Sequence, residues 1–398
     1  MQKFLRLYFF LGLIAASALA QSPRQIGEVT VMTEGNSIPV RVTANTPELR
    51  TLALRAFGAH GRYRLVASGY AYDIGFSALS ATQVRVEVTK GSAGTPVVSE
   101  VVTDASASRA LLRAADVAVE KTNGLGLKGF FTAQLAFIGE RTGKSEVYTA
   151  DLFFSPGTVK QITHDRAFAL MPRWSPDGSR IIFTSYRRSG FPDIYLLDPA
   201  SGLPTTFVSV KGTNQSARFS PNGRQVAMTL TGTGSSEIWV SDAQGRGLVR
   251  RTFSDAVKSS PCFSPDGSQL VFTMEPGPQL YVMPAGGGSM RRLVTGFTFS
   301  AEPDWSRTNP NLIACTVKTE GKYQIGVYDL AKGKAEVVSK APFDGQEPSW
   351  LPDGRHLIYT ARSRATSVLC ILDTETGKST PIIPSDFGPT LQASVRVP

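Results

Sequence analysis

Four groups of residues in this chain could carry chemistry by type. Asp177, Asp266 and Asp353 stand in matching Pro-Asp-Gly contexts, and a carboxylate set is what acid–base or metal chemistry requires. His60, His164 and His356 are potential bases or metal ligands, and Cys262, Cys315 and Cys370 potential nucleophiles or thiolate ligands. Gly124-x-Gly126-x-x-Gly129 fits the pattern that cradles a dinucleotide pyrophosphate. Each group fails on spacing or context. The glycine pattern needs a strand before it and a helix after it, whereas here a helix precedes and a strand follows, so it reads as a flexible linker. The histidines have no neighbouring carboxylate or thiol motif and read as isolated. The cysteines are 53 and 55 residues apart, match no zinc spacing, and lie in apolar strand-like runs, so they read as small buried hydrophobes. No G-x-S-x-G elbow, phosphate-binding Walker loop or H-E-x-x-H helix is present. The expectation is a protein that is not an enzyme, with no metal and no cofactor.

The aspartates have another explanation, because their setting recurs. "PRWSPDGSRIIFTS" is followed by "ARFSPNGRQVAMTL", "PCFSPDGSQLVFTM", "PDWSRTNPNLIACTV" and "PSWLPDGRHLIYTA". The aromatic positions Trp174, Phe219, Phe263, Trp305 and Trp350 are 45, 44, 42 and 45 residues apart, the length of one four-stranded propeller blade. In each copy Pro sets φ, Asp or Asn bonds back to its own backbone, and Gly178, Gly223, Gly267 or Gly354 supplies a left-handed residue, so the cluster closes a hairpin. "SRTNP" departs from the pattern, and Asn309 reads there as the left-handed substitute. A second hairpin repeats in phase, anchored at Asp151, Asp198, Asp242, Pro284, Asp329 and Asp373. Its outer strands occur six times, but the aromatic strand only five. Adding 45 to Trp350 reaches Val395, so residues 392–397 are expected to supply the sixth inner strand and close the ring.

Residues 21–128 have a different texture. "IGEVTVMT" reads as a strand, "TPELRTLALRAFGAH" as a helix capped by Thr46, and "YRLVAS", "YAYDIGFSAL", "ATQVRVEVTKG" and "TPVVSEVVTD" as strands. "SASRALLRAADVAVEKTNG" reads as a second helix ending at Asn123-Gly124. The fold class is therefore mainly β: a six-bladed β-propeller over 129–398, preceded by a small α+β domain over 21–128.

Residues 1–20 read as an export signal, with Lys3 and Arg6, an apolar run from Leu7 to Ala15, and Ala18-Leu19-Ala20 before a cleavage site at Gln21. Removing Lys3 and Arg6 takes the formal charge from +10 to +8. The basic residues are scattered, Arg250-Arg251 and Arg291-Arg292 being the densest pairs, and solvated faces explain them as well as any ligand does. An exported chain is not expected to bind nucleic acid, and a monomer is expected. The residues three and four places before the aromatic slot lie on the approach to one channel mouth. They are Gln215 and Ser216, Ser259 and Ser260, Glu302, then Gln346 and Glu347, with Leu170 and Met171 in the first copy. A funnel ringed by short polar groups suits capture of a protein loop or small ligand.

An export signal, a small α+β domain, the join "GLKGFFTAQLAFIGER" and repeats of "P-x-W-S-P-D-G-S-x-I-x-F-T-S" with "D-I-Y-L-L-D" resemble the TolB family, periplasmic propellers of the Tol-Pal system. That resemblance implies docking of the peptidoglycan-associated lipoprotein Pal at the mouth residues just named. It also implies engagement of the inner-membrane protein TolA by the N-terminal segment and its domain. The family follows its first strand with a "P-I-A-V-x-P-F"-like stretch. Here the chain reads "SIPVRVTANTP" and lacks the closing Pro-Phe, which leaves Pal the firmer of the two expectations. The other reading of the residues is an exported propeller that binds a glycan or peptide outside that system.

Overall fold

Strict alternation writes the first sheet. The computed structural model describes residues 37–155, 157–188, 190–384 and 386–396, so the export signal and the strand expected at "IGEVTVMT" lie outside the described residues. The first described strand is β1 (Ile38–Ala44), followed by α1 (Pro47–Ala59), β2 (Tyr63–Leu65), β3 (Tyr72–Ala78), β4 (Gln83–Lys90), β5 (Thr95–Thr103) and α2 (Ala107–Thr122). The sheet order is β2-β1-β3-β4-β5, with β1 parallel to both its neighbours. Val84, Val86 and Val88 bury one face of β4 while the residues between them face water. Ala53, Ala56 and Phe57 of α1 and Ala110, Leu111, Ala114 and Ala118 of α2 cover that face. Thr46 caps α1 by accepting from the Leu49 N–H, and Ser106 caps α2 by accepting from the Arg109 N–H. No helix among the described residues is long and apolar enough to cross a membrane.

The linker is pinned rather than flexible. Asn123 Nδ2 donates to the Val119 and Leu127 carbonyls, and its Oδ1 accepts from the Leu125 and Leu127 N–H groups. Asp116 accepts from the Phe131 and Thr132 N–H groups and from Thr132 Oγ1. A Cβ on Gly129 would lie 2.2 Å from the Asp116 Cβ, so this glycine serves close approach rather than mobility.

Six four-stranded sheets follow. The first is built from Gln134–Gly139, Glu146–Asp151 and Lys160–Gln161, and its inner strand is the chain's tail, Thr390–Arg396. The tail runs antiparallel to Gln134–Gly139 and sets Val395 opposite Leu135, the slot that Trp350 fills opposite Leu357. The expected hairpin chemistry is present: Gly178, Gly223, Gly267 and Gly354 have φ of 68–76°, and Asp177 and Asp266 each accept from two serines. Those hydroxyls and N–H groups hold both carboxyls down at about 2. Asn309 corrects the expectation, because it is not among the residues with positive φ. Its Oδ1 accepts from the Asn311 N–H and its own N–H donates to Ser306 Oγ, so it plays the aspartate's part, in a hairpin one residue longer. The three cysteines are buried and free.

The α+β unit sits against the first and last blades at the end of the propeller where the Pro-Asp-Gly turns lie. Arg55 donates to the Phe153 and Ile382 carbonyls and Lys378 Nζ to the Gly58 carbonyl. A Cβ on Gly61 would lie 2.0 Å from Asp373 Oδ2, so no side chain fits there. Gly61→Ala is therefore expected to cost about 2 kcal/mol of stability, read as a lower urea midpoint. An unchanged midpoint would mean that this seam yields freely.

Candidate functional site

Each inner strand carries a register irregularity, three residues before the aromatic slot. The residues there, Met171, Ser216, Ser260, Glu302, Glu347 and Gln392, all have φ of 53–59°. Left-handed backbone is costly for residues with a Cβ, and six copies at one level must be held by the surroundings. Threonines do much of that holding. The N–H of Ser216 donates to Thr184 Oγ1, that of Glu302 to Thr273 Oγ1, that of Glu347 to Thr316 Oγ1, and that of Gln392 to Thr360 Oγ1. In each case the hydroxyl comes from the preceding blade, so the bulge stitches blade to blade.

These bulges turn side chains into the channel. All six line one constriction, together with Arg173, Ala217, Arg218 and Pro348. The free space at that level is about 40 Å³, and beneath it, toward the Pro-Asp-Gly turns, a cavity of about 270 Å³ opens between Arg173, Arg218, Trp174, Trp305 and Trp350. A polar chain runs around half the ring. Glu302 Oε2 accepts from Thr316 Oγ1 (2.7 Å) and the Glu347 N–H (3.2 Å). Glu347 accepts from Thr360 Oγ1 and from Gln392 Nε2, and Gln392 Oε1 accepts from the Met171 N–H. Burial, and then the Glu347 charge, raise the Glu302 carboxyl to about 7. Burial, and then the Arg218 charge, lower Arg173 to about 10. Arg218 is paired with Asp304, which also accepts from the Trp350 N–H.

The expected mouth residues separate into two sets. Ser216, Ser260, Glu302 and Glu347 meet in the ring. Gln215, Ser259 and Gln346 instead take ordinary ladder positions, opposite Thr229, Thr273 and Thr360. None of the seven is a loop residue: the inner strands begin at or before these positions, so the ring is a constriction inside the channel, not its rim. The sixth member, Gln392, escaped the sequence reading, although it lies 45 residues after Glu347. The threonines escaped too, although "FTS", "MTL", "FTM", "CTV" and "YTA" repeat one in every copy.

Two expectations fail at the seam between the α+β unit and the propeller. His60 and His356 are not isolated: their rings are 4.4 Å apart, and both lie beside Asp353. Asp353 is more than a turn residue: it is buried, takes the Arg355 and His356 N–H groups, and meets His356 Nδ1 at 2.6 Å.

The open end of the channel, away from the α+β unit, is approached by loops that expose Phe168 and Phe253, 48% and 73% accessible. Exposed aromatic residues at one end of the propeller are of the types enriched in protein interfaces.

The family profile described as the TolB beta propeller domain matches residues 122–390. The TolB homolog of Chlorobium chlorochromatii is 35% identical over 147 residues, 37% of this chain and 32% of that protein. The Tol-Pal system protein TolB of Bordetella parapertussis is 31% identical over 248 residues, 61% of this chain and 55% of that protein. The chain thus aligns with a third to just over half of these curated relatives. The crystal structure of TolB from Acinetobacter baumannii superposes with a TM-score of 0.78 at 22% identity, covering 94% of this chain and 98% of that one.

Proposed function

Because the chain belongs to the TolB β-propeller family, we propose that it is an exported, non-enzymatic adaptor of a Tol-Pal-like system, acting in the periplasm in outer-membrane integrity and cell division. The propeller docks a Pal-like peptidoglycan-associated lipoprotein at its open channel end. The segment before Ser37 and the α+β unit engage a TolA-like inner-membrane protein. The observation that carries the Pal reading is the pairing of exposed Phe168 and Phe253 with a polar ring just inside the same mouth. Aromatic groups at the edge supply apolar contact, and Ser216, Ser260, Glu302 and Glu347 supply polar groups to a loop that reaches inward.

The test is a titration of the purified chain with the periplasmic part of the Pal-like protein. Phe168→Ala with Phe253→Ala is expected to weaken binding at least about 10-fold, since one exposed aromatic anchor is worth a kcal/mol or more. Each ring is touched only by one surface cation, Lys144 or Arg250, so the melting temperature should fall by little. Equal affinity of variant and parent would remove this mouth as the docking surface. Retention on cell-wall polymer or peptide, with no lipoprotein bound, would favour the glycan- or peptide-binding reading.

A further inference from the structure

The channel carries a second ring, one residue before each aromatic slot and beneath the first ring. Its members are Arg173, Arg218, Cys262, Asp304, Ser349 and Ser394, and all six line the cavity of about 270 Å³. Each stands where strand pairing resumes after the bulge, so the six lie at one level. Three of them are small side chains, which is why the channel widens here instead of closing.

The charges of this ring do not balance. Arg218 reaches past Cys262 to pair with Asp304, whose other oxygen accepts the Trp350 N–H. Among the described residues Arg173 has no ion pair. Asp304 and Glu347 act on it only from a distance, and Glu347 is already held by Thr360 and Gln392. Arg173 Nη1 donates to the Pro172 and Ala393 carbonyls, while its Nε and Nη2 have no partner among the described residues. Burial, and then the Arg218 charge, lower this guanidinium, the mark of a cation short of a counter-ion. Ser394 Oγ accepts from the Trp174 N–H and keeps its own proton to give. Arg307 and Arg396 stand at the end of the cavity nearest the turns, and neither is ion-paired among the described residues.

We propose that this cavity is a binding site for a small carboxylate with an apolar body. The carboxylate lies on the free edge of Arg173, where Nε and Nη2 form a planar fork that matches two oxygens. Ser349 and Ser394 offer further donors at the same level. Trp174, Trp305 and Trp350 wall the cavity one layer lower, so the body meets aromatic surface while the head meets the cation. Arg307 and Arg396 draw anions to the entrance, and Glu302 and Glu347 in the ring above repel them. The ligand therefore enters from the turn end and stops beneath the constriction. Phe168 and Phe253 lie on the other side of that constriction, so this site does not depend on the docking reading.

The test is calorimetric titration of the full mature chain with benzoate and with hexanoate, one flat body and one flexible. Saturable binding of at least one is expected. Benzyl alcohol, which has the body without the charge, and inorganic phosphate, which has the charge without the body, should each bind at least about 10-fold more weakly. Arg173→Gln should weaken carboxylate binding at least about 10-fold, the loss of a charge-assisted pair. Arg85→Gln, an exposed arginine on β4, should leave it unchanged. No saturable binding of either carboxylate overturns the proposal, as does equal affinity for benzyl alcohol or phosphate, or an Arg173→Gln variant that binds like the parent. If Arg173→Gln fails to fold, Arg173→Lys keeps the charge and removes the fork. Weakened binding is expected there too, and unchanged affinity would count against the site.

Discussion

Truncation after Pro389 is expected to lower the stability of this protein by about 5 kcal/mol or more, enough to leave many domains largely unfolded. Of the nine residues removed, Thr390–Arg396 form the whole inner strand of one blade. They pair with Gln134–Gly139 and bury Thr390, Leu391, Ala393 and Ser394. They also reach both neighbouring blades. Thr390 Oγ1 accepts from the Leu369 N–H, and Gln392 joins Glu347 to the Met171 N–H. On the other side Ser394 Oγ accepts from the Trp174 N–H, and Arg396 lies over the Trp174 ring while donating to the Gly178 carbonyl. Each such bond contributes about 1 kcal/mol, and the loss also opens the edge of Gln134–Gly139 to water. Chemical denaturation measures the effect, and a midpoint equal to that of the full chain would mean that the ring does not depend on this closure.

Glu302→Gln should act in the opposite direction, stabilising the protein above pH 7. The Glu302 carboxyl is held near 7 by burial and by Glu347, above the ordinary 4.5. The folded form therefore holds its proton more tightly than the unfolded chain does. Stability falls as pH rises from about 4.5 to about 7 and is level beyond, where both forms are ionised. Glutamine imitates the protonated carboxyl, and its carbonyl can still accept from Thr316 and the Glu347 N–H. The gain should be about 2–3 kcal/mol at pH 8 and should vanish near pH 4. Glu347→Gln should shift the pH dependence of the parent downward by removing the second cause. Identical pH–stability curves for parent and Glu302→Gln would show that the carboxyl titrates as if in water. Reversing either charge to lysine is a poor probe of docking, because the ammonium would stand in the channel wall near Arg173 and Arg218.

Turns and periods were legible in the chain because they are local. A hairpin needs Pro, Asp and Gly in order, and a blade needs about 45 residues, so Trp174 to Trp350 mark their own spacing and point to Val395. The alternation of Val84, Val86 and Val88 declares a half-buried strand, and Thr46 and Ser106 announce their helices. Where a local rule had two solutions, the reading slipped. Asn309 can enter a turn by conformation or by side-chain bonding, and the longer hairpin decided for the second.

What the linear chain could not supply is convergence. His60 and His356 are 296 residues apart and meet only because α1 docks on the sixth blade. Ser216, Ser260, Glu302, Glu347 and Gln392 form a ring only because six bulges fall at one level, and the level follows from closure by the tail. Residue types and their intervals along the chain thus determined the units and their number. Which side chains face one another across the axis and the seam was decided by packing, since those contacts join residues that share no local geometry.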